Sequence, residues 1–343
     1  MVFARWVRSS LGIAFVLALV AVPVSAQEVT VLCNFEVDWC EALKAAYEKT
    51  TGQKAVFIRR TDGESLAQIR AEKSNPRADI YHAAESASAK QLASEGLLEA
   101  YKSPRVSELH DWAQRIAEEN KYFQTPIYTG VLGWGYNTEL LAKKKLPEPK
   151  CWADLTNPAY KDEIQMSNPA TSGTSYLILA TLVQIMGEDK AFEFFKSLAK
   201  NINQYPRSGA APMQAVVQGE STLAVTFVFA AVSAAADGAP VAAISPCEGT
   251  GYEIGSMSIL AGAKNLDGAK AWYEFVLTPE AQATGAKSKS FQIPSHVNAP
   301  LPPGTPRLED VKLIDYDFKR FGAPETSKAL IARFEREILN QAK

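Results

Sequence analysis

The residues best placed to do chemistry in this chain are hydroxyls and glycines set just ahead of apolar, helix-like runs. Asn168–Leu182 reads "NPATSGTSYLILATL", which puts Thr171, Ser172, Gly173, Thr174 and Ser175 at the start of one helix. "TDGES" puts Thr61, Gly63 and Ser65 at the start of a second, and "PRSGAAP" puts Arg207, Ser208 and Gly209 at a third. A helix N-terminus carries unpaired N–H donors and roughly half a positive charge. Small residues let an anion approach, and Ser or Thr adds a neutral donor suited to reversible binding. Three such loops predict a grip for a phosphate, phosphonate or carboxylate, and the fork of Arg207 suits the same groups. Ser, Thr and Asp are also ordinary N-cap residues, so each loop alone reads equally as a cap.

Other candidates are spread along the chain. Asn34, Glu36 and Asp38 follow the first predicted strand, where Phe35 and Trp39 either stack on a ligand or shield a disulfide. Glu85 and Ser86 follow the third strand, and Tyr252 and Glu253 stand in "GTGYEIG", with hinge packing as their other role. His82, His110 and His296 are scattered; His82, just after a strand, either faces a cleft or serves the core. A hydrolase needs a nucleophile elbow or a metal motif such as H-E-x-x-H, and neither occurs. The glycines of "GTGYEIG" fall at 249, 251 and 255 and miss the G-x-G-x-x-G spacing. Binding without catalysis and without a cofactor is the expectation.

The elements that must position these residues alternate. "EVTVLCNF", "KAVFIRR" and "ADIYHAA" read as strands. Between them lie the helices "EALKAAYEKTTG", with Leu43, Ala46 and Tyr47 on one face and Gly52 as stop, and "TDGESLAQIRAEKS"; "SASAKQLASEGLL" follows. Such alternation predicts a parallel sheet with helices on its faces. "TPIYTGVLGWGYNTELL" then reads as short β runs broken by Gly130, Gly133 and Gly135, suited to crossing between lobes. "CWADLTNPAYKDEIQMSNP" reads as helix, turn and strand, and "GTGYEIGSMSILAG" as a second crossing. The chain is therefore expected to be α/β and two-lobed, with ligand outside the carboxyl ends of the strands.

Bulk properties agree. Arg5 and Arg8, about 14 apolar residues and "VSA" make residues 1–26 a cleavable secretory signal, too short for a spanning helix of roughly 20 residues. The remaining 343 − 26 = 317 residues suit two domains. Their charge, 34 basic minus 38 acidic, is −4, so nothing in it suggests nucleic acid or an anionic membrane surface as partner. Four cysteines behind a signal favour disulfides, and their spacing fits no standard zinc site. Three pairings exist; one closes Cys33 to Cys40 locally and Cys151 to Cys247 over a long range.

The order of "EKTTGQKAVFIRRTDGESLAQIRAEKSNPRADIYHA", "GVLGWGYNTELL", "CWADLTNPAYKDEIQMSNPATSGTSY", "QYPRSGAAPMQAVVQGE", "PCEGTGYEIGSMSILAGAKN" and "LTPEAQ" resembles the periplasmic solute-binding proteins of ABC transporters, in the ferric-iron-binding-like branch. "CNFEVDWC" and "PCEGTGYEIG" look most like relatives that bind sugar phosphates or other organophosphates. The resemblance implies a type II clamp of two α/β lobes that closes on a solute and hands it to an inner-membrane permease. It places 27–125 plus about 247–300 in one lobe and 126–246 plus about 301–343 in the other, as a monomer in the periplasm. Iron-binding relatives hold iron(III) with paired Tyr after the strand matching "STLAVTFVF", but Phe227–Asp237 contains none. Sugar-phosphate relatives carry a His-Asp pair where Phe229 and Ala230 stand, so the apolar surface from Phe227 suits a less hydroxylated ligand body. Iron binding, and a ligand-sensing role beside a two-component kinase, are the alternatives.

Overall fold

The computed structural model describes residues 1–2, 28–83 and 86–340; the rest of the predicted signal segment and Glu85 lie outside the described residues. Its strands are β1 (Val29–Cys33), β2 (Ala55–Arg59), β3 (Ile80–Ala83), β4 (Leu98–Glu99), β5 (Thr125–Asn137), β6 (Ile164–Met166), β7 (Ile202–Gln204), β8 (Leu223–Phe227), β9 (Val241–Ile244), β10 (Tyr252–Leu260) and β11 (Ile293–Pro294). In the first lobe the order is β2-β1-β3-β10-β5. β1, β2 and β3 are parallel, as βαβ crossovers require, while β10 runs antiparallel to β3 and β5.

β5 serves both lobes. Its Thr125–Val131 half pairs with β10, and its Leu132–Asn137 half lies between β8 and β9. β6 then pairs in parallel with β8 and β7. The expected interruptions at its three glycines do not occur: the strand is continuous over 13 residues. Those glycines admit close neighbours instead. A Cβ on Gly133 would lie 2.1 Å from the Ile244 carbonyl oxygen, and one on Gly135 would lie 2.6 Å from Ala231 Cβ.

Each lobe has its own core. Val31, Leu43, Tyr47, Ile80, Trp272 and Tyr273 fill the first, and Trp134, Trp152, Leu179, Phe192, Phe195 and Val225 the second. The C-terminal segment returns to the second core through Tyr316, Phe321 and Phe334. A smaller cluster of Val131, Val228, Val232, Phe291, Ile293 and Val311 gathers around the middle of β5.

The first helix begins at Val37, not Glu41, and ends on Gly52 at φ 70°, whose N–H bonds to Glu48 O. The helix expected in "CWADLTNPAY" is two short 3-10 turns, Trp152–Thr156 and Pro158–Tyr160. Cys33 bridges to Cys40 and Cys151 to Cys247. Among the described residues no helix is long and apolar enough to cross a membrane.

Candidate functional site

The hydroxyl-rich loop leaves β6 and opens the helix Gly173–Met186. Ser172 caps it by accepting the Ser175 N–H at 3.4 Å. The loop before the helix Ala211–Gln218 is bound against it. Ser167 Oγ donates to Ser208 O at 2.7 Å, Thr171 Oγ1 to Arg207 O at 3.0 Å, and Asn168 N–H to Pro206 O at 2.9 Å. Gly209 is the point of closest approach, since a Cβ there would lie 2.7 Å from Thr174 Oγ1 and 2.9 Å from Ser172 Oγ. Two helix N-termini and two hydroxyls thus form one wall. A third helix, Val228–Ala236, starts straight off β8 with Phe227 at its N-cap and no side-chain cap bond.

Arg207 lies on the same loop. Its side chain is exposed and lines neither of the two cavities of the cleft, while its carbonyl holds the loop.

The first-lobe loop, the third of the expected grip, is bonded within itself. Thr61 donates its hydroxyl to Glu64 Oε2 at 2.9 Å and accepts the Glu64 N–H, forming a capping box. Ser65 is fully buried and donates to Asn34 Oδ1 at 2.9 Å. Asn34 Nδ2 donates in turn to Asp62 Oδ1 at 2.8 Å, where Tyr81 Oη also donates at 2.5 Å, and Ser88 Oγ donates to the other oxygen. Burial and Asp62 push the Tyr81 phenol well up, so it remains a donor. An external anion at this helix start would meet the carboxylates of Asp62 and Glu64. Thr61, Ser65 and Asn34 hold the loop together.

Two cavities mark the cleft. The smaller, about 120 Å³, brings together Ser86, Gly173, Thr174, Phe227, Tyr252 and Glu253, all expected site residues. The larger groove, about 820 Å³, runs past Glu36, Phe229, Ala230 and Ser290. Gly130 of β5 is a tight point between these groups: a Cβ there would lie 2.9 Å from both Glu253 Oε1 and the Phe229 ring. Phe227 and Phe229 stack with centroids 5.0 Å apart. Ser86 is buried and donates to Gln124 Oε1 at 3.2 Å. Ser175 is also buried, and its hydroxyl has no hydrogen-bond partner among the described residues. Ser172 is buried, whereas Ser208 is exposed.

Sequence reasoning missed the share of this cavity supplied by Tyr176, Tyr316, Phe318, Phe321 and Gly322. The aromatic density of "DYDFKRF" was the available signal, but nothing local says that a C-terminal segment returns to the cleft. Phe35 and Trp39 are core residues. They stack on each other at 4.9 Å, and Trp39 Nε1 donates to Thr284 Oγ1 at 3.1 Å.

His82 does not face the cleft. It is wholly buried in β3 and accepts the Trp272 Nε1 hydrogen at 2.9 Å, so its proton sits on Nδ1. Burial lowers its pKa to about 3. Below the ordinary value of about 6.5 the unfolded chain takes up a proton that the folded chain refuses. Stability held above pH 6.5 is therefore lost as pH falls toward 3, by about 2 kcal/mol at pH 5. Urea unfolding between pH 7 and 4 measures this slope, and His82→Gln, which keeps an acceptor for Trp272, is expected to flatten it. An unchanged slope in the variant would assign the acid loss to other groups.

Iron is the other ligand to weigh. Tyr176 Oη donates to Phe321 O at 2.5 Å, and burial raises the pKa of Tyr252 and pushes that of Tyr176 up to about 12. Among the described residues, the converging group of three His, Cys or carboxylate side chains is Cys151, Cys247 and Glu248, whose sulfurs are spent in a disulfide.

Comparison with known proteins brings the fold and the cleft together. The family model described as "Bacterial extracellular solute-binding protein" matches residues 75–320. An uncharacterized protein of Haemophilus influenzae is 40% identical over 310 residues, 90% of each chain. The periplasmic binding protein AfuA from Actinobacillus pleuropneumoniae, solved with fructose-6-phosphate, superposes with a TM-score of 0.78 at 39% identity, covering 91% of this chain and 98% of that one. The periplasmic binding protein P5PA gives 0.75 at 37% identity, over 91% and 99%.

Proposed function

This chain belongs to the bacterial extracellular solute-binding proteins, and on that premise we propose that it captures a small organophosphate, phosphonate or carboxylate for an ABC importer. It works as a soluble periplasmic monomer after signal cleavage and delivers its solute to an inner-membrane permease. The lobes, 27–125 with about 247–300 and 126–246 with about 301–343, close about β5 and β10 in a hinge motion.

The observation that carries the reading is the wall at Gly209. There the Ser172 and Thr174 hydroxyls lie against Gly209, so the starts of the helices Gly173–Met186 and Ala211–Gln218 meet, with Thr174 lining the smaller cavity and Ala210 the larger. Neutral donors and helix dipoles suit an anion that must be released again. The phosphoester bound by AfuA supports the same class of ligand. Hexose specificity does not follow, because Phe229 and Ala230 offer no polar group to sugar hydroxyls.

Thermal shift of the mature protein against phosphonates, hexose phosphates, organic acids and ferric iron tests the reading. Stabilisation by at least one organic anion is expected; a shift with iron alone, giving a coloured complex, would overturn it. Gly209→Ala sets a methyl group against Thr174 and Ser172. It is expected to weaken anion binding at least tenfold, the worth of about one charge-assisted hydrogen bond, with unfolding temperature little changed. Unaltered affinity by calorimetry would place the anion elsewhere.

A further inference from the structure

The smaller cavity has a chemistry that an anion grip does not use. Tyr176, Phe227, Tyr252, Tyr316, Phe318 and Phe321 line it, and Glu253 is the carboxylate among its lining residues. No Lys or Arg side chain lines it among the described residues. Aromatic faces attract cationic nitrogen through their quadrupoles, and a nearby carboxylate adds to the pull. Neither helps a bare anion. Yet Gly173 and Thr174, the first residues of a helix, line the same cavity and supply the opposite polarity.

One ammonium stands near these rings. Lys90 Nζ is 5.4 Å from the centroid of Phe318, where burial lowers its pKa and Glu119 and Asp317 offset that only in part. The stacked pair Phe227 and Phe229, fixed between β8 and Gly130, keeps one aromatic face rigid.

We infer that the natural solute is a zwitterion, a small phosphonate, phosphoester or carboxylate that also carries an ammonium or quaternary ammonium group. The cation seats among the rings beside Glu253, and the anion sits at the helix start of Gly173 and Thr174. This rests on the anion-binding reading above and adds the second charge to it.

Titration calorimetry with matched pairs tests the inference: 2-aminoethylphosphonate against propylphosphonate, and phosphocholine against 3,3-dimethylbutyl phosphate. Each pair keeps its anion and exchanges cationic nitrogen for carbon. At least one cationic member is expected to bind about tenfold or more tightly than its carbon isostere. Glu253→Gln is expected to remove most of that preference while leaving the isostere within about twofold. Equal or tighter binding of both isosteres overturns the zwitterion and leaves the anion reading standing. Failure of all four probes to bind overturns the zwitterion, and the thermal-shift panel of hexose phosphates and organic acids then decides the anion reading separately. Lys90→Met separates the remaining arrangement: if it abolishes isostere binding, Lys90 holds the anion and the assignment of the ring-lined space to a cation is wrong.

Discussion

Gly133→Ala is expected to destabilise the protein by about 3 kcal/mol, the upper end of overpacking costs in a filled interior. Most tight glycine contacts are relieved by the swing of a side chain. Here the nearest atom is the backbone carbonyl oxygen of Ile244, 2.1 Å from the added Cβ, with Val228 Cγ2 at 2.9 Å. Ile244 pairs with Trp134 in the ladder between β5 and β9, so moving its carbonyl breaks a register that holds the second lobe's edge. Val228 belongs to the small cluster around the middle of β5, so the disturbance also reaches the path between lobes. Gly63→Ala is the internal control. It lies in a helix, a Cβ there meets nothing within 4 Å, and it is expected to gain about 0.5 kcal/mol through the unfolded chain and helix propensity. Urea midpoints of the two variants should therefore move in opposite directions. A loss below about 1 kcal/mol in Gly133→Ala would mean that β9 is free to shift.

That glycine shows where sequence reasoning stops. Gly130, Gly133 and Gly135 were legible as a special segment, but a glycine that breaks a strand and one that admits a neighbour look alike in a string of letters. The choice depends on Ile244, Phe229 and Ala231, each roughly a hundred residues away. What local pattern does encode came through: the βαβ alternation, the two-lobed class, and the stop at Gly52 all follow from periodicity and short-range preference. The loops at Ser172 and Ser208 were readable as helix starts because hydroxyls and small residues stand ahead of apolar runs. "TDGES" carried the same signal for a different reason. Glu64 and Asp62 within or beside the motif turn its donors inward, and Tyr81 and Ser88 complete that closure from other elements. Two carboxylates in the motif itself were the clue that it was a cap. The aromatic side of the cavity was hidden because Tyr316, Phe318 and Phe321 reach it only through the return of the C-terminal segment to the second core.

Removing the Cys151–Cys247 bridge, as Cys151→Ala with Cys247→Ala, is expected to cost about 4 kcal/mol, because it frees a 96-residue loop in the unfolded chain. The seven-residue Cys33–Cys40 loop predicts about half as much by the same entropy. The folded contacts around the long bridge do not depend on it. Glu248 accepts the N–H groups of Trp152 and Ala153 at 2.7 and 2.9 Å, Trp152 Nε1 donates to Gly249 O at 3.0 Å, and Cys247 N–H donates to Lys150 O at 3.0 Å. Trp152, fully buried, packs edge-on to Trp134. These bonds keep the turn in place, so the stability loss arises in the unfolded chain, which expands when the cross-link is gone. Urea unfolding should then show a lower midpoint with a steeper dependence on denaturant, the sign of more surface exposed. Ligand Kd should stay within about twofold, since β10 is paired with β3 and β5, and Glu253 stands opposite Gly130 of β5. A weakened Kd would instead make the bridge a positioning device for Glu253, six residues beyond Cys247 in the chain. A stability loss under about 1 kcal/mol would mean that the unfolded chain already keeps residues 151 and 247 together.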